Sequence, residues 1–348
     1  MDVLVAHALA HTGADYSCFQ VAMTSLNILV VLPALLLVRR LLWPWRFAPA
    51  TATALLVTSP ALAQNATFPW TKLFAAFYAL LGLYLIWRGG SRDARRIVLG
   101  FAALATGLLV HYSVAPYALT LGAVAIVRWV RHRRLGEALV AAGVAGVILA
   151  SFVGFSLWHY GVATTFGSNT TVTETHGRSA AQHVGVIVAN ALATLVPHPL
   201  GAGTFYGADQ VSRLGWWRDY WFPIVQMGLP WACGLLGGWV LVGLIVHRLR
   251  RAPPATRRFF PRVRLGSLVL GIVLHSNIST AGSAHVCLLG LIVLGTAFLG
   301  GALPHLPRWA QAIVLIGAVF DLLLGIVLHF AVESVPLAVQ RTASGAWD

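Results

Sequence analysis

Apolar runs long enough to cross a bilayer alternate with short polar stretches along most of the chain. Ten runs stand out, at 19–38, 47–64, 70–87, 97–113, 114–130, 137–158, 222–246, 265–281, 284–302 and 310–331. A membrane span needs about 20 apolar residues, or somewhat fewer when it is packed inside a bundle. Each run is expected to be an α-helix, because lipid offers no partner to unpaired backbone groups and nothing in the pattern suggests a closed barrel. The fold expected is therefore an all-α polytopic membrane protein with about ten transmembrane helices.

Positive charge sharpens that picture. Of the 24 Lys and Arg residues, 19 fall in alternate gaps between the runs: 39–46, 88–96, 128–134, 248–264 and Arg308. Cationic loops are retained in the cytoplasm. These gaps are thus expected inside, with both termini and the 159–221 segment outside. The net charge of +14 then reports topology and contact with anionic headgroups, not nucleic-acid binding. With 58% hydrophobic and only 10% charged residues, a soluble globule is ruled out.

Residues 1–348 read as a single membrane domain. Residues 1–18 contain Asp2 and Asp15 and lack the basic start and apolar core of a cleavable signal peptide. The cytoplasmic loop 247–264 holds seven arginines and Pro253-Pro254. The outer loop 159–221 turns apolar from 184 to 196 and stops at Pro197-His198-Pro199. Making that stretch a span would put the arginines of 248–264 outside, so it is expected to be an interfacial or re-entrant helix. Trp216-Trp217-Arg218 and the aromatic residues after it suit the headgroup belt, as anchors or as a surface for stacking a ligand. Cys18, Cys233 and Cys287 have no metal or redox spacing and read as packing residues. An Ala/Arg/Gly-rich chain with one lysine fits a high-GC bacterium, and hence its inner membrane.

Candidate chemistry gathers on the outer side. Lys72, the only lysine, follows Phe68-Pro69-Trp70-Thr71 at the mouth of the third run. It reads either as a counter-ion for a lipid phosphate or as a snorkelling helix-end residue. His111-Tyr112 ends the fourth run, while His275 and His285 bracket the turn between the eighth and ninth. Their spacing matches no zinc motif, and several histidines at one level favour a polar, wet cavity. Asp93 and Glu137 are expected to pair with neighbouring arginines. Asp321, in the middle of the last run, is expected to be structural. No nucleotide fingerprint or nucleophile elbow is present. No metal or other cofactor is called for, though a divalent cation stays open.

Several of these residues carry a likeness. Phe19-Gln20, Leu26-Asn27, Ser59-Pro60, Asn65, Phe68 to Lys72, Ala75-Ala76-Phe77, His111-Tyr112-Ser113 and Pro116-Tyr117 resemble bacterial GT-C glycosyltransferases. That superfamily includes protein mannosyltransferases and lipid A aminoarabinose transferases. Tyr160-Gly161 to Thr170 and the His275 to His285 turn are similar too. The resemblance implies a multi-helix membrane enzyme that moves a sugar from a polyprenyl-phosphate donor to an acceptor on the outer face. It further implies that Lys72 occupies the donor-phosphate position and that 159–221 shapes the acceptor side. His111, Tyr112, His275, His285 and Arg218 would line the substrate cavity.

The chain departs from the family in one respect. Family members begin in the cytoplasm, cross once, and carry an acidic catalytic motif in a first outer loop. Here that crossing and any paired acids are missing, so the start is expected to be truncated, or the protein an inactive or divergent relative. No residue qualifies as the catalytic base. Two other readings stand beside the transferase: a lipid-linked-sugar transporter or flippase, and a non-enzymatic subunit of an envelope assembly. The flippase reading expects charges through the middle of several spans, where only Asp321 is found.

Overall fold

The computed structural model describes residues 16–42, 46–67, 71–89, 93–167, 179–195 and 285–330, with a few isolated helical positions between 240 and 270. The described elements are all helical. In chain order they are α1 (Tyr16–Ile28), α2 (Val31–Leu41), α3 (Ala48–Val57), α4 (Pro60–Thr67), α5 (Lys72–Gly89), α6 (Ala94–Val110), α7 (Ala115–His132), α8 (Leu135–Gly167), α9 (Ala180–Leu195), α10 (His285–Ala302) and α11 (Arg308–Phe330). Four stretches are long and apolar enough to cross a membrane: Cys18–Leu41, Tyr112–His132, Leu135–Thr165 and Leu288–His305. Two shorter apolar helices, Ala48–Val57 and Lys72–Trp87, lie among them. This is the composition of a membrane protein. The runs 222–246 and 265–281 and the loop 247–264 lie almost wholly outside the described residues.

Proline distorts the first expected span and divides the second. Pro33 has no N–H for the Leu29 carbonyl, which is taken instead by Leu32 at 3.0 Å, so the helix tightens into a turn between α1 and α2. Ser59-Pro60 divides the second run into α3 and α4. Pro60 is the first residue of α4, and it disfavours a helical conformation at Ser59. Neither feature is visible in hydropathy, because both flanks are equally apolar.

Contacts along the helices set their directions. α5 and α6 are antiparallel: methyl groups on Gly107, Gly82 and Gly100 would lie 2.8 Å from Tyr78 Cβ, 2.7 Å from Leu104 Cγ and 2.6 Å from Ile86 Cγ1. Such close approach through small residues is how apolar helices associate when no hydrophobic force separates them from lipid. α1–α2 runs parallel to α5, with Asn27 bonded to Phe74 at one end and Arg40 over the Trp87 ring, 5.0 Å from its centroid, at the other. α10 is buried on all sides, with Leu288, Leu291, Ile292, Val293, Leu294 and Leu299 in the core. Its Gly290 faces Tyr117 and Ala76, whereas Gly300 and Gly301 press on Ala48, Ala52 and Leu42.

One consequence is segregation of charge. Arg39, Arg40, Arg46, Arg95, Arg96, Arg128, Arg131, Arg133, Arg134 and Arg308 sit at one end of the bundle. Lys72, His111, Tyr112 and the start of α10 sit at the other. Asp93 pairs with Arg96 and Glu137 with Arg134, both at 2.9 Å, as expected from their neighbours.

α8 is the outermost of these helices. Leu139, Val147, Phe152, Phe155 and Trp158 are all exposed, Trp158 by 86%. Water would penalise so continuous an apolar face, and lipid would not. The helix stops at Gly161, whose φ of 72° and ψ of 174° are open only to glycine. The Ser156 and Thr165 hydroxyls lie 3.0 Å apart, so the chain reverses there. In a continuous helix those residues would be about 13 Å apart. Cys18 is exposed rather than packed.

α9 occupies most of the stretch expected to be interfacial or re-entrant and begins four residues before it. Its start is a capping box: Gln182 N–H donates to Ser179 Oγ at 3.3 Å, and Ser179 N–H to Gln182 Oε1 at 2.8 Å. Sixteen residues span about 24 Å, less than a hydrocarbon core.

Candidate functional site

The lysine end of the bundle is organised by one buried amide. Asn27 is 0% exposed. Its Oδ1 accepts the Phe74 N–H at 3.1 Å, in the first turn of α5. Its Nδ2 donates to the carbonyls of Ala66 at 3.3 Å and Asn65 at 3.5 Å, in the last turn of α4. Gln20, two turns earlier on α1, donates to the Thr67 carbonyl at 3.1 Å. First-turn N–H and last-turn C=O groups have no partner within their own helices. Asn27 satisfies both kinds at once and so joins α1, α4 and α5 just beside Lys72.

Lys72 opens α5 and is partly buried, preceded by the buried Thr71. Behind it, Phe74 and Tyr78 meet edge to face at 5.1 Å, as do Phe77 and Tyr78 at 5.0 Å, while Phe74 stacks on Phe77 at 6.0 Å. An ammonium group, an aromatic wall and the N-terminal end of a helix together suit an anion with an apolar tail.

His111 and Tyr112 follow directly after α6, against the first turns of α5. The His111 backbone is extended, and its Nδ1 accepts the Ser113 N–H at 3.1 Å, capping the 3-10 turn Tyr112–Val114. With Nδ1 used as an acceptor, a neutral ring carries its proton on Nε2. The ring stacks on Tyr112 at 4.3 Å. Tyr117, buried one turn into α7, places its hydroxyl 3.0 Å from where a Gly290 Cβ would be.

Three of the six expected cavity residues, Lys72, His111 and Tyr112, are thus brought to one end. His285 begins α10 at that same end, with its side chain outside the described residues. Arg218 and His275 lie outside them altogether. The sequence named Asn27 without a role, because a lone amide in an apolar run shows no sign of the two helix ends it will meet. Asp321 is 7% exposed and continues the buried stripe of Ala310, Val314 and Ala318 on α11. Among the described residues, no group of three or more His, Cys, Asp or Glu could hold a metal ion. No protein-family model, no curated protein and no solved structure matches the chain.

Proposed function

We propose that this chain is a polytopic inner-membrane protein of about ten spans, with both termini outside, that binds a polyprenyl-phosphate-linked sugar at its lysine end and transfers the sugar to an acceptor on the outer face. The observation that carries this reading is a convergence. Gln20 and Asn27, Asn65 and Lys72, and His111, Ser113 and Tyr117 come from three separate stretches of sequence, yet all belong to the end of the bundle where α5 begins. All seven are among the positions that resemble the GT-C glycosyltransferases.

The division of labour follows from the chemistry. The Lys72 ammonium and the positive end of α5 neutralise the donor phosphate. Phe77 and Tyr78, half-buried and backed by Phe74, give the first isoprene units or the sugar face an apolar surface. His111, with its Nδ1 committed to the backbone, offers Nε2–H as a donor to a sugar hydroxyl. The exposed apolar face of α8 and the segregated arginines support the membrane setting, with the basic end in the cytoplasm.

The test uses the full chain in lipid nanodiscs with a labelled polyprenyl-phosphate sugar. Lys72→Met is expected to weaken binding by roughly tenfold or more, the scale of one lost charged contact, while Lys72→Arg retains most of it. Equal binding by Lys72→Met removes Lys72 from the site. Binding without consumption of donor, but with its passage across a proteoliposome, replaces transfer by transport.

A further inference from the structure

We infer that the basic end of α6, α7 and α8 is a headgroup site for an anionic glycerophospholipid of the adjoining leaflet. The three helices meet there around a small apolar cluster of Ile97, Ala125, Trp129 and Ala141, separate from the main core. Trp129 packs against Phe101 with ring centroids 5.5 Å apart. Around this cluster stand Arg95 and Arg96 from the first turn of α6, Arg128 and Arg131 from the last turns of α7, and Arg133 and Arg134 from the turn into α8.

The two acids are already engaged. Asp93 holds Arg96 and caps α6 through the Arg96 N–H at 3.1 Å; Glu137 holds Arg134. No described acid lies within ion-pair distance of Arg95, Arg128, Arg131 or Arg133. Part of that charge complements the carbonyl end of α7, but the dipole supplies only about half an elementary charge. An excess of about three guanidinium charges remains. Exposed apolar side chains follow it along the same helices: Leu99 on α6, Ile126, Val127 and Val130 on α7, and Leu135 and Leu139 on α8. Phosphate above and acyl chain below is the complement of that surface.

Arg133 adds a separate indication. It ends α7 in the left-handed conformation, φ 53° and ψ 39°, where glycine is the ordinary choice. Arg134 N–H returns to the Trp129 carbonyl at 2.9 Å, as in a glycine-capped helix end. Local stability alone favours glycine there by about 1 kcal/mol, so the guanidinium stands there at a backbone cost. Retention of loops in the cytoplasm depends on charge, not on this placement.

The inference needs the bundle to sit in a membrane and does not depend on sugar transfer, so the two fail separately. The full chain, purified in neutral detergent, is titrated with phosphatidylglycerol and with phosphatidylcholine, and retained lipid is counted by native mass spectrometry. Wild type is expected to retain phosphatidylglycerol preferentially. Arg128→Gln/Arg131→Gln/Arg133→Gln is expected to lower that retention at least about fivefold, the effect of a single arginine at an anionic surface. Arg39→Gln/Arg46→Gln/Arg308→Gln, which removes the same charge elsewhere at this end, leaves it within about twofold. Equal losses in both triple variants overturn the site, as does no loss in either. Displacement of the lipid by millimolar inorganic phosphate overturns the lipid as occupant. Should the first triple variant aggregate, the exposed Arg131→Gln alone decides by the same measure.

Discussion

The Asn27 side-chain oxygen accepts the Phe74 N–H at 3.1 Å while its amide nitrogen holds the end of α4, so one residue fixes where α5 starts. Asn27→Leu leaves a buried N–H and buried carbonyls unsatisfied. A loss of about 1–3 kcal/mol is expected, read as a lower unfolding midpoint in detergent. If donor binding is measured in the same variant, it should fall as well, since Lys72 loses its anchor. A variant as stable as wild type would mean that the junction is held by other contacts.

α10 and α8 respond oppositely to added methyl groups. On Gly300 a Cβ would meet the Thr51 carbonyl oxygen at 2.8 Å and Ala52 Cα at 2.9 Å, backbone atoms that cannot swing aside. Gly300→Ala should therefore cost about 1–3 kcal/mol. On Gly143 of α8 a Cβ has nothing within 4 Å. Gly143→Ala should leave the midpoint unchanged or raised, because alanine is the better helix former. Equal destabilisation by both would contradict the exposed position of α8.

Gly161 permits the reversal after α8. Any side chain at φ 72° and ψ 174° is strained by about 1–3 kcal/mol. Gly161→Ala is expected to straighten the segment and separate Ser156 from Thr165. A disulfide between Ser156→Cys and Thr165→Cys should form readily with Gly161 present and poorly once Gly161→Ala is added, as scored by gel mobility after oxidation.

Orientation is decided by labelling. In a background with Cys18, Cys233 and Cys287 changed to Ser, Tyr112→Cys is expected to react with an impermeant maleimide on intact cells. Arg133→Cys should react only after lysis. The reverse pattern would turn the lysine end toward the cytoplasm and end the outer-face reading.

His111 tests whether a histidine at the mouth is a cap, a ligand contact or both. His111→Asn keeps a short acceptor for the Ser113 N–H, whereas His111→Ala removes it, at about 0.5–2 kcal/mol. Donor binding lost in both, with stability lost only in the second, would assign the ring to the ligand as well as to the turn. Binding unchanged in His111→Asn confines it to capping.

Much of the architecture was written in one dimension. The alternation of apolar runs and arginines told which ends of α2, α6, α7 and α11 would share a side, because each long apolar helix must reverse the chain. The neighbours Asp93 with Arg96 and Glu137 with Arg134 were equally plain, since partners three residues apart meet on a helix surface. Hydropathy ends the sixth run at 158, three residues before Gly161, but it does not show that the backbone there requires glycine.

What the chain alone could not decide are the relations between residues distant along it. Hydropathy is blind to a proline inside a run, so the distortion at Pro33 and the division at Ser59-Pro60 came only with the fold. An amide such as Asn27 has no local signature; its role exists only once α4 ends and α5 begins on either side of it. Sequence determined that the helices are apolar and which of their ends are basic, because transfer into lipid and retention of charge depend on composition. Tertiary structure decided which helix is central, which is left facing lipid, and which polar groups meet beside Lys72, because packing depends on the shapes of surfaces that no single segment contains.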